Sequence, residues 1–250
     1  GRLMSVHIVI PARYASSRLP GKPLADIAGL PMVVRTAQQA AKAAVDSVVV
    51  AADDDRVADV VRGAGIAVQM TRTDHVSGSD RVMEVAELFG WSDDDVVINV
   101  QGDEPLVPPA VINQLSDGMR EHADVPMATL SEPLHSVSEF LDPNVVKVVF
   151  NDHGLAMLFS RAPIPYPRDS QGRSLPESAA RHVGIYAFRV HALRRFIALG
   201  SSTLEQVEML EQMRWLQAGH PLLVMHALKP VPGGVDTPED LARIQAQFGT

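Results

Sequence analysis

Arg13, Arg18 and Lys22 put three fixed positive charges within ten residues, in the run Ile10-Pro11-Ala12-Arg13-Tyr14-Ala15-Ser16-Ser17-Arg18-Leu19-Pro20-Gly21-Lys22-Pro23-Leu24. Gly and Pro between them fold the segment back, so side chains five and four positions apart can converge on one polyanion such as a polyphosphate. The run is not a Walker A loop: Ser16 stands where that motif needs its first Gly, and Pro23 where it needs Ser or Thr. A generic basic turn is the alternative reading. Two carboxylates have the complementary chemistry. Asp103, in Val100-Gln101-Gly102-Asp103-Glu104-Pro105, ends an apolar run, with Gly102 permitting close backbone approach. Asp236, in Pro232-Gly233-Gly234-Val235-Asp236-Thr237-Pro238-Glu239-Asp240, lies just outside a helix that Thr237 can cap and Pro238 can open. Two monodentate carboxylates, completed by substrate phosphates and water, suit Mg²⁺; each is equally well read as a turn or capping residue.

The elements that must hold these residues alternate. Residues 6–10, 46–52, 66–70 and 96–100 read as strands, and 31–44, 54–63 and 79–89 as helices. Such alternation implies crossover units and a mostly parallel sheet, and the uninterrupted apolar runs imply that both sheet faces are covered. Ligands then gather at the carboxyl ends of the strands, where loops 11–23, 53–55, 71–79 and 101–105 emerge. After about residue 123 come strands 127–131, 145–150, 155–160, 182–189 and 222–228 with fewer helices between them, an extended mixed sheet. Residues 163–178, with four prolines, read as a mobile loop. One domain is expected, a nucleotide-binding half over about 5–123 and a second half over about 124–250.

Composition narrows the ligand. At 250 residues and 46% hydrophobic content the chain can bury a full core. Its net charge of −8, from 22 basic against 30 acidic side chains, argues against a broad nucleic-acid surface, so a local basic loop points to a small anion. There is no cysteine, hence no disulfide or thiolate metal site. No apolar run approaches the roughly 20 residues of a membrane span, and 6–10 is too short for a signal-peptide core. A soluble cytoplasmic protein is expected, with Met4 a candidate native start after residues 1–3.

Further segments extend the pattern: Met70-Thr71-Arg72-Thr73-Asp74-His75-Val76-Ser77-Gly78-Ser79-Asp80-Arg81, Asn144-Val145-Val146-Lys147-Val148-Val149, Phe159-Ser160-Arg161, Arg181-His182-Val183-Gly184-Ile185-Tyr186 and Glu208-Met209-Leu210-Glu211-Gln212. With 10–24, 99–105 and 234–240 they cover nearly the whole chain in order, and together the sequence resembles the 3-deoxy-manno-octulosonate (Kdo) cytidylyltransferase family of lipopolysaccharide synthesis. The resemblance implies a Rossmann-like nucleotide-diphospho-sugar transferase fold, a mostly parallel central sheet with a mixed second half, and a homodimer with 159–167 as candidate interface. It implies the reaction CTP plus Kdo giving CMP-Kdo and pyrophosphate with Mg²⁺, by in-line attack of the anomeric hydroxyl on the α-phosphorus, the metal making a dedicated base unnecessary. Residue by residue, it puts Arg13 and Lys22 on the CTP phosphates with Arg18 as helper, and Arg72, Ser77 and Gly78 by the cytosine and ribose. Asp103 and Asp236 become Mg²⁺ ligands, and with Arg13 and Lys22 the catalytic set. Gln101 joins Asp103 on the CTP side, and Gln101, Arg161, His182, Tyr186, Glu211 and Gln212 form the sugar pocket, with Arg161 the partner of the sugar carboxylate.

Glu211 can be argued independently: on a helix over 204–218 it lies four residues from Val207 and Trp215, on the apolar stripe, where a carboxylate needs a partner. Asp53-Asp54-Asp55 either sits at the site or starts the next helix, and Asp93-Asp94-Asp95 reads as a solvated turn. No Gly-x-Ser-x-Gly elbow or nucleophile with an adjacent base is present, in keeping with direct displacement. The residues leave open a sister cytidylyltransferase for sialic acid or an amino-Kdo analogue. They also leave open a glycosyltransferase, whose Asp-x-Asp motif 53–55 satisfies only nominally, and a non-catalytic nucleotide-binding protein.

Overall fold

The computed structural model describes residues 3–249; Gly1 and Arg2, ahead of the candidate start, lie outside the described residues. Strand β1 (Val6–Ala12) is buried at every position. It leads through a 3₁₀ turn at Lys22–Leu24 and a small hairpin, β2 (Asp26–Ile27) and β3 (Leu30–Pro31), to α1 (Met32–Ala40), β4 (Ser47–Ala52), α2 (Asp55–Gly63), β5 (Ala67–Met70), α3 (Gly78–Leu88), β6 (Val96–Asn99) and α4 (Pro109–Glu121). Local chemistry starts these helices. The Asp54 carboxylate accepts the Arg56 N–H at 2.8 Å to cap α2, and the Ser77 hydroxyl accepts that of Asp80 at 3.2 Å to cap α3.

The second half runs β7 (Met127–Pro133), α5 (Val137–Leu141), β8 (Lys147–Phe150), β9 (Ala156–Ser160), β10 (Ala180–Arg189), α6 (Val190–Leu199), α7 (Thr203–Glu208), α8 (Met213–Gln217), β11 (Leu223–His226) and α9 (Pro238–Phe248). The strand order is β11-β7-β10-β6-β1-β4-β5, with β8 joining β10 to β9. β6, β1, β4 and β5 are parallel, whereas β10 runs antiparallel to β6, β7 and β8. The expected fold is therefore found: a mostly parallel centre continued by a mixed second half. β1 shows why both faces must be covered, since Ile8 and Ile10 pack into one apolar cluster and Val9 into the other. Among the described residues no helix is long and apolar enough to cross a membrane.

Four expectations need correction. Five helices follow β7, more than the sequence pattern suggested. The helix expected over 204–218 is two short helices, broken where Met209 takes a left-handed φ of 56°. Tertiary donors make the break: the Ser160 hydroxyl and the Arg161 N–H reach the Glu208 carboxylate, and the Arg161 guanidinium reaches the Glu208 and Met209 carbonyls. Asp95 is buried rather than solvated, because its carboxylate takes the N–H groups of Ser5 and Ser92 at 3.1 and 2.9 Å. Phe159, at the start of the candidate interface, is wholly buried in the core, and it is Met157 and Tyr166 nearby that are exposed.

Candidate active site

A cavity of about 320 Å³ opens at the carboxyl ends of the parallel strands, walled by the cationic loop, residues 75–78, residues 101–103 and Asp236. Arg13 stands exposed just past the end of β1, with no hydrogen bond or ion pair to another described residue. Gly21, with φ 66°, turns the chain into the 3₁₀ turn, a conformation costly for any residue with a Cβ. That turn presents Lys22, whose Nζ lies 2.8 Å from Asp103 Oδ2 and 3.7 Å from Asp236 Oδ1. Arg18 donates to Asp236 Oδ2 at 2.6 Å, but this pair is mostly exposed and so contributes little to stability.

Two glycines let the carboxylates meet. The Gly102 N–H donates to the Pro11 carbonyl at 3.2 Å, and a Cβ there would stand 3.1 Å from that oxygen, the close approach the sequence implied. The Val235 N–H donates to the Asp103 carbonyl at 2.8 Å, and a Cβ on Gly234 would lie 3.1 Å from Asp103 Oδ1 and 3.2 Å from Glu104 Oε1. Thr237 forms a capping box with Asp240 and Pro238 opens α9, as expected, so Asp236 is delivered from a fixed helix start. The Asp103 and Asp236 pair already holds a cation, the Lys22 ammonium, between hard oxygen donors. That donor set fits Mg²⁺, which binds through one or two carboxylates plus phosphates and water. Among the described residues no group of three or more His, Asp or Glu forms a cage that would hold a metal without substrate. Burial, then the charge of Asp103, pushes the Glu104 carboxyl up to about 8.

Of the residues expected at the base and ribose, Ser77 and Gly78 line the cavity, and Gly78 packs against the Gln101 amide. Arg72 does not line it; its exposed guanidinium turns to Asp74 and Glu84 at 3.3 and 3.6 Å. His75 and Val76 stand in the wall instead. Sequence reasoning missed Arg81, only 2% exposed, which lines the cavity from α3 and donates to the Thr71 hydroxyl and the Arg72 carbonyl at 2.6 and 2.8 Å. Its signal was its place four residues after Ser77, one turn into the helix whose start faces the site.

Of the residues expected in a sugar pocket, Gln101 lines the cavity, and its amide donates to the Asn99 side chain at 3.3 Å. Asn99 pairs across the sheet with Tyr186, whose ring lies 5.5 Å from that of His182. His182 Nε2 is 2.9 Å from the Thr129 hydroxyl, and burial, helped by the Arg181 charge, pushes its basicity down to about 3. Burial and the Glu211 charge raise the Tyr186 phenol well above its usual range, so it stays a neutral hydroxyl. Glu211 is half-buried although the helix argument for it fails. Its buried Oε1 has no hydrogen-bond partner among the described residues, and burial raises its pKa. Gln212 is buried in the same break between α7 and α8. Arg161 is engaged by the carbonyls of Pro143, Glu208 and Met209 at 2.9, 2.6 and 3.3 Å. Of the six residues expected on the sugar side only Gln101 lines the cavity; Tyr186 and His182 adjoin each other behind it, next to Asn99 across the sheet, and Arg161, Glu211 and Gln212 gather at the break between α7 and α8.

An open α/β sheet carrying a cationic loop and two converging carboxylates at its ligand-binding end is an arrangement that suits a nucleotidyltransferase. The family model for cytidylyltransferases matches residues 7–225. The chain is 49% identical over 250 aligned positions to a 3-deoxy-manno-octulosonate cytidylyltransferase of Alcanivorax borkumensis, covering 98% of this chain and 99% of that one. It is 48% identical to the protein of that name from Cellvibrio japonicus, covering 97% and 98%. A solved structure of CMP:2-keto-3-deoxy-manno-octonic acid synthetase complexed with CTP superposes with a TM-score of 0.90 at 43% identity, over 98% of each chain. A cytidylyltransferase from Leptospira borgpetersenii, 14% identical with a TM-score of 0.65, covers 99% of this chain and 87% of that one and shares the fold. The chain belongs to the cytidylyltransferase family, and within it to the 3-deoxy-manno-octulosonate cytidylyltransferases.

Proposed function

We propose that this enzyme transfers the cytidylyl group of CTP to Kdo, giving CMP-Kdo and pyrophosphate. The observation that carries the reading is the Lys22 ammonium held between Asp103 and Asp236 on a loop at the end of the central strand, with Arg13 exposed beside it. Arg13 can take a phosphate oxygen without surrendering a partner, and Lys22 exchanges carboxylate for phosphate when the triphosphate enters. Asp103 and Asp236 would hold Mg²⁺, which when bound would supply neutralisation of phosphate charge. Ser77 and Gly78 offer main-chain groups to the cytosine edge, and Arg72, whose exposed guanidinium is held by Asp74 and Glu84, joins them by a side-chain swing. On the sugar side a hydroxyl of the polyol donates to Glu211 Oε1, and the neutral His182 and Tyr186 stand on the same side. Gln101 stands at the junction between the two substrates. The anomeric oxygen forms its bond to the α-phosphorus as the bond to pyrophosphate breaks in line, and the hydroxyl proton passes to solvent.

The chain acts as a homodimer in the cytoplasm in this reading, where CTP is made. Exposed Met157, Tyr166, Val207 and Met209 supply the apolar surface for pairing. Pyrophosphate release measured with CTP, UTP, ATP and GTP, each with and without Kdo, tests the proposal. Release confined to CTP plus Kdo is expected. CTP binding without turnover overturns it, and preference for sialic acid or an amino-Kdo analogue moves the chain to a sister activity.

A further inference from the structure

The run Asp53-Asp54-Asp55 contains one carboxylate that α2 does not need. Asp54 caps the helix and Asp55 lies in its first turn. Asp53, at the end of β4, turns the other way, and its side chain is only 10% exposed. Its Oδ1 accepts the Tyr14 N–H at 3.1 Å, and its Oδ2 lies 3.5 Å from the Arg81 guanidinium. Arg81 in turn holds the Thr71 hydroxyl and the Arg72 carbonyl, so one buried ion pair ties together the loops leaving β1, β4 and β5. The side chain of Tyr14 extends the tie to the far end of the cationic loop. The Arg56 guanidinium sits 3.7 Å above its ring, and its hydroxyl lies 3.4 Å from where a Cβ on Gly21 would stand, next to Lys22. Both phosphate-binding cations of the proposed function are therefore neighbours in sequence of a residue in this brace.

We propose that Asp53 is a positioning residue for the triphosphate loop, acting through the Tyr14 main chain and Arg81 to hold Arg13 and Lys22 at the spacing the nucleotide requires. The inference rests on the loop's proposed role in binding CTP. A main-chain donor fixed by a buried carboxylate has one direction, and the residue before it leaves the strand in a set direction too. Freed of Asp53, the loop would sample orientations that do not bind, and CTP affinity would fall by the fraction of time spent in them.

The test compares Asp53→Ala and Asp53→Asn with the native protein by calorimetric titration of CTP and by steady-state kinetics in both substrates. Asp53→Ala is expected to weaken CTP binding and raise its KM about tenfold, with kcat and the KM for Kdo within about twofold. Asp53→Asn keeps an oxygen for the Tyr14 N–H and is expected to recover part of the loss, to about threefold. Native-like or tighter CTP binding by Asp53→Ala overturns the proposal. So does an equal loss for both substrates together with a fall in melting temperature, which marks a purely structural role. If Asp53→Ala does not fold, Asp53→Asn and Arg81→Lys decide by the same split. Arg13→Ala and Lys22→Ala separate the two levels. If neither weakens CTP, the phosphate-loop reading itself fails; if they do and the Asp53 variants do not, only the brace fails.

Discussion

Lys22 sits between two carboxylates and in the proposed function exchanges them for a phosphate, so its removal and theirs should act differently. Lys22→Ala is expected to raise the KM for CTP more than it lowers kcat, because the ammonium attracts substrate and transition state alike. Asp103→Asn is expected to cut turnover at least about 100-fold with folding intact, since the carboxylate acts where charge develops. Near-normal pyrophosphate release by Asp103→Asn, with an unchanged far-ultraviolet spectrum, would remove Asp103 from the catalytic set. His182 carries a pH signature. Its folded pKa of about 3 lies below the ordinary 6.5, so between those values the unfolded chain binds a proton that the folded chain does not. The stability its neutral ring confers is present above pH 6.5 and is lost as pH falls toward 3. Denaturant unfolding at several pH values across that window should show His182→Gln losing less stability on acidification than the native chain; parallel profiles would refute this. At this scale the charged loop and Asp103 were legible in the sequence because they break an apolar pattern. Arg81 and Asp53 were not, because a buried ion pair is made by residues from two elements and neither advertises the other.

The elements deliver these groups by close backbone contact, and the glycines mark the contacts. Gly234→Ala would drive a methyl against the Asp103 and Glu104 carboxylates, and Gly102→Ala one against the Pro11 carbonyl. Overpacking of this kind costs about 1–3 kcal/mol. We expect Gly234→Ala to lower melting modestly and kcat sharply, because one of the displaced carboxylates, Asp103, belongs to the proposed metal-binding pair; thermal scans beside turnover would check this, and unchanged kcat would count against it. The β2–β3 hairpin and α4 escaped the sequence pattern, but the other strands and helices of the first half were readable from period, and the start of α9 from Thr237 and Pro238. The break between α7 and α8 was not. Periodicity assumes that a segment satisfies its own carbonyls, whereas Ser160 and Arg161, about fifty residues upstream, capture those of Glu208 and Met209 and its carboxylate. Arg161→Ala should accordingly raise the KM for the sugar by misplacing Glu211, and a CTP KM that rises equally would argue against that route.

For the whole molecule, a net charge of −8 surrounds a basic cavity mouth, so rates at limiting CTP should fall as salt screens the approach of the anion. Assembly is open to a direct check. Sedimentation of the native chain is expected to give a dimer, and Met157→Asp, which puts a charge into the exposed apolar edge, a monomer; a native monomer would refute the pairing. The sequence by itself determined the sheet's parallel centre, the cationic loop at the end of its first strand, the capped helix that follows Asp236 and the family to which the chain belongs. These are local: they follow from alternation, turn chemistry and the order of short motifs. Only the tertiary structure decided that Asp103 and Asp236 share one ammonium, that Asp53 braces a loop rather than starting a helix, that Arg72 lies outside the cavity wall and that Glu211 buries one carboxylate oxygen without helical continuity. Each depends on where separate strands end in space, and that is set by the packing of the whole sheet rather than by the spacing of residues along the chain.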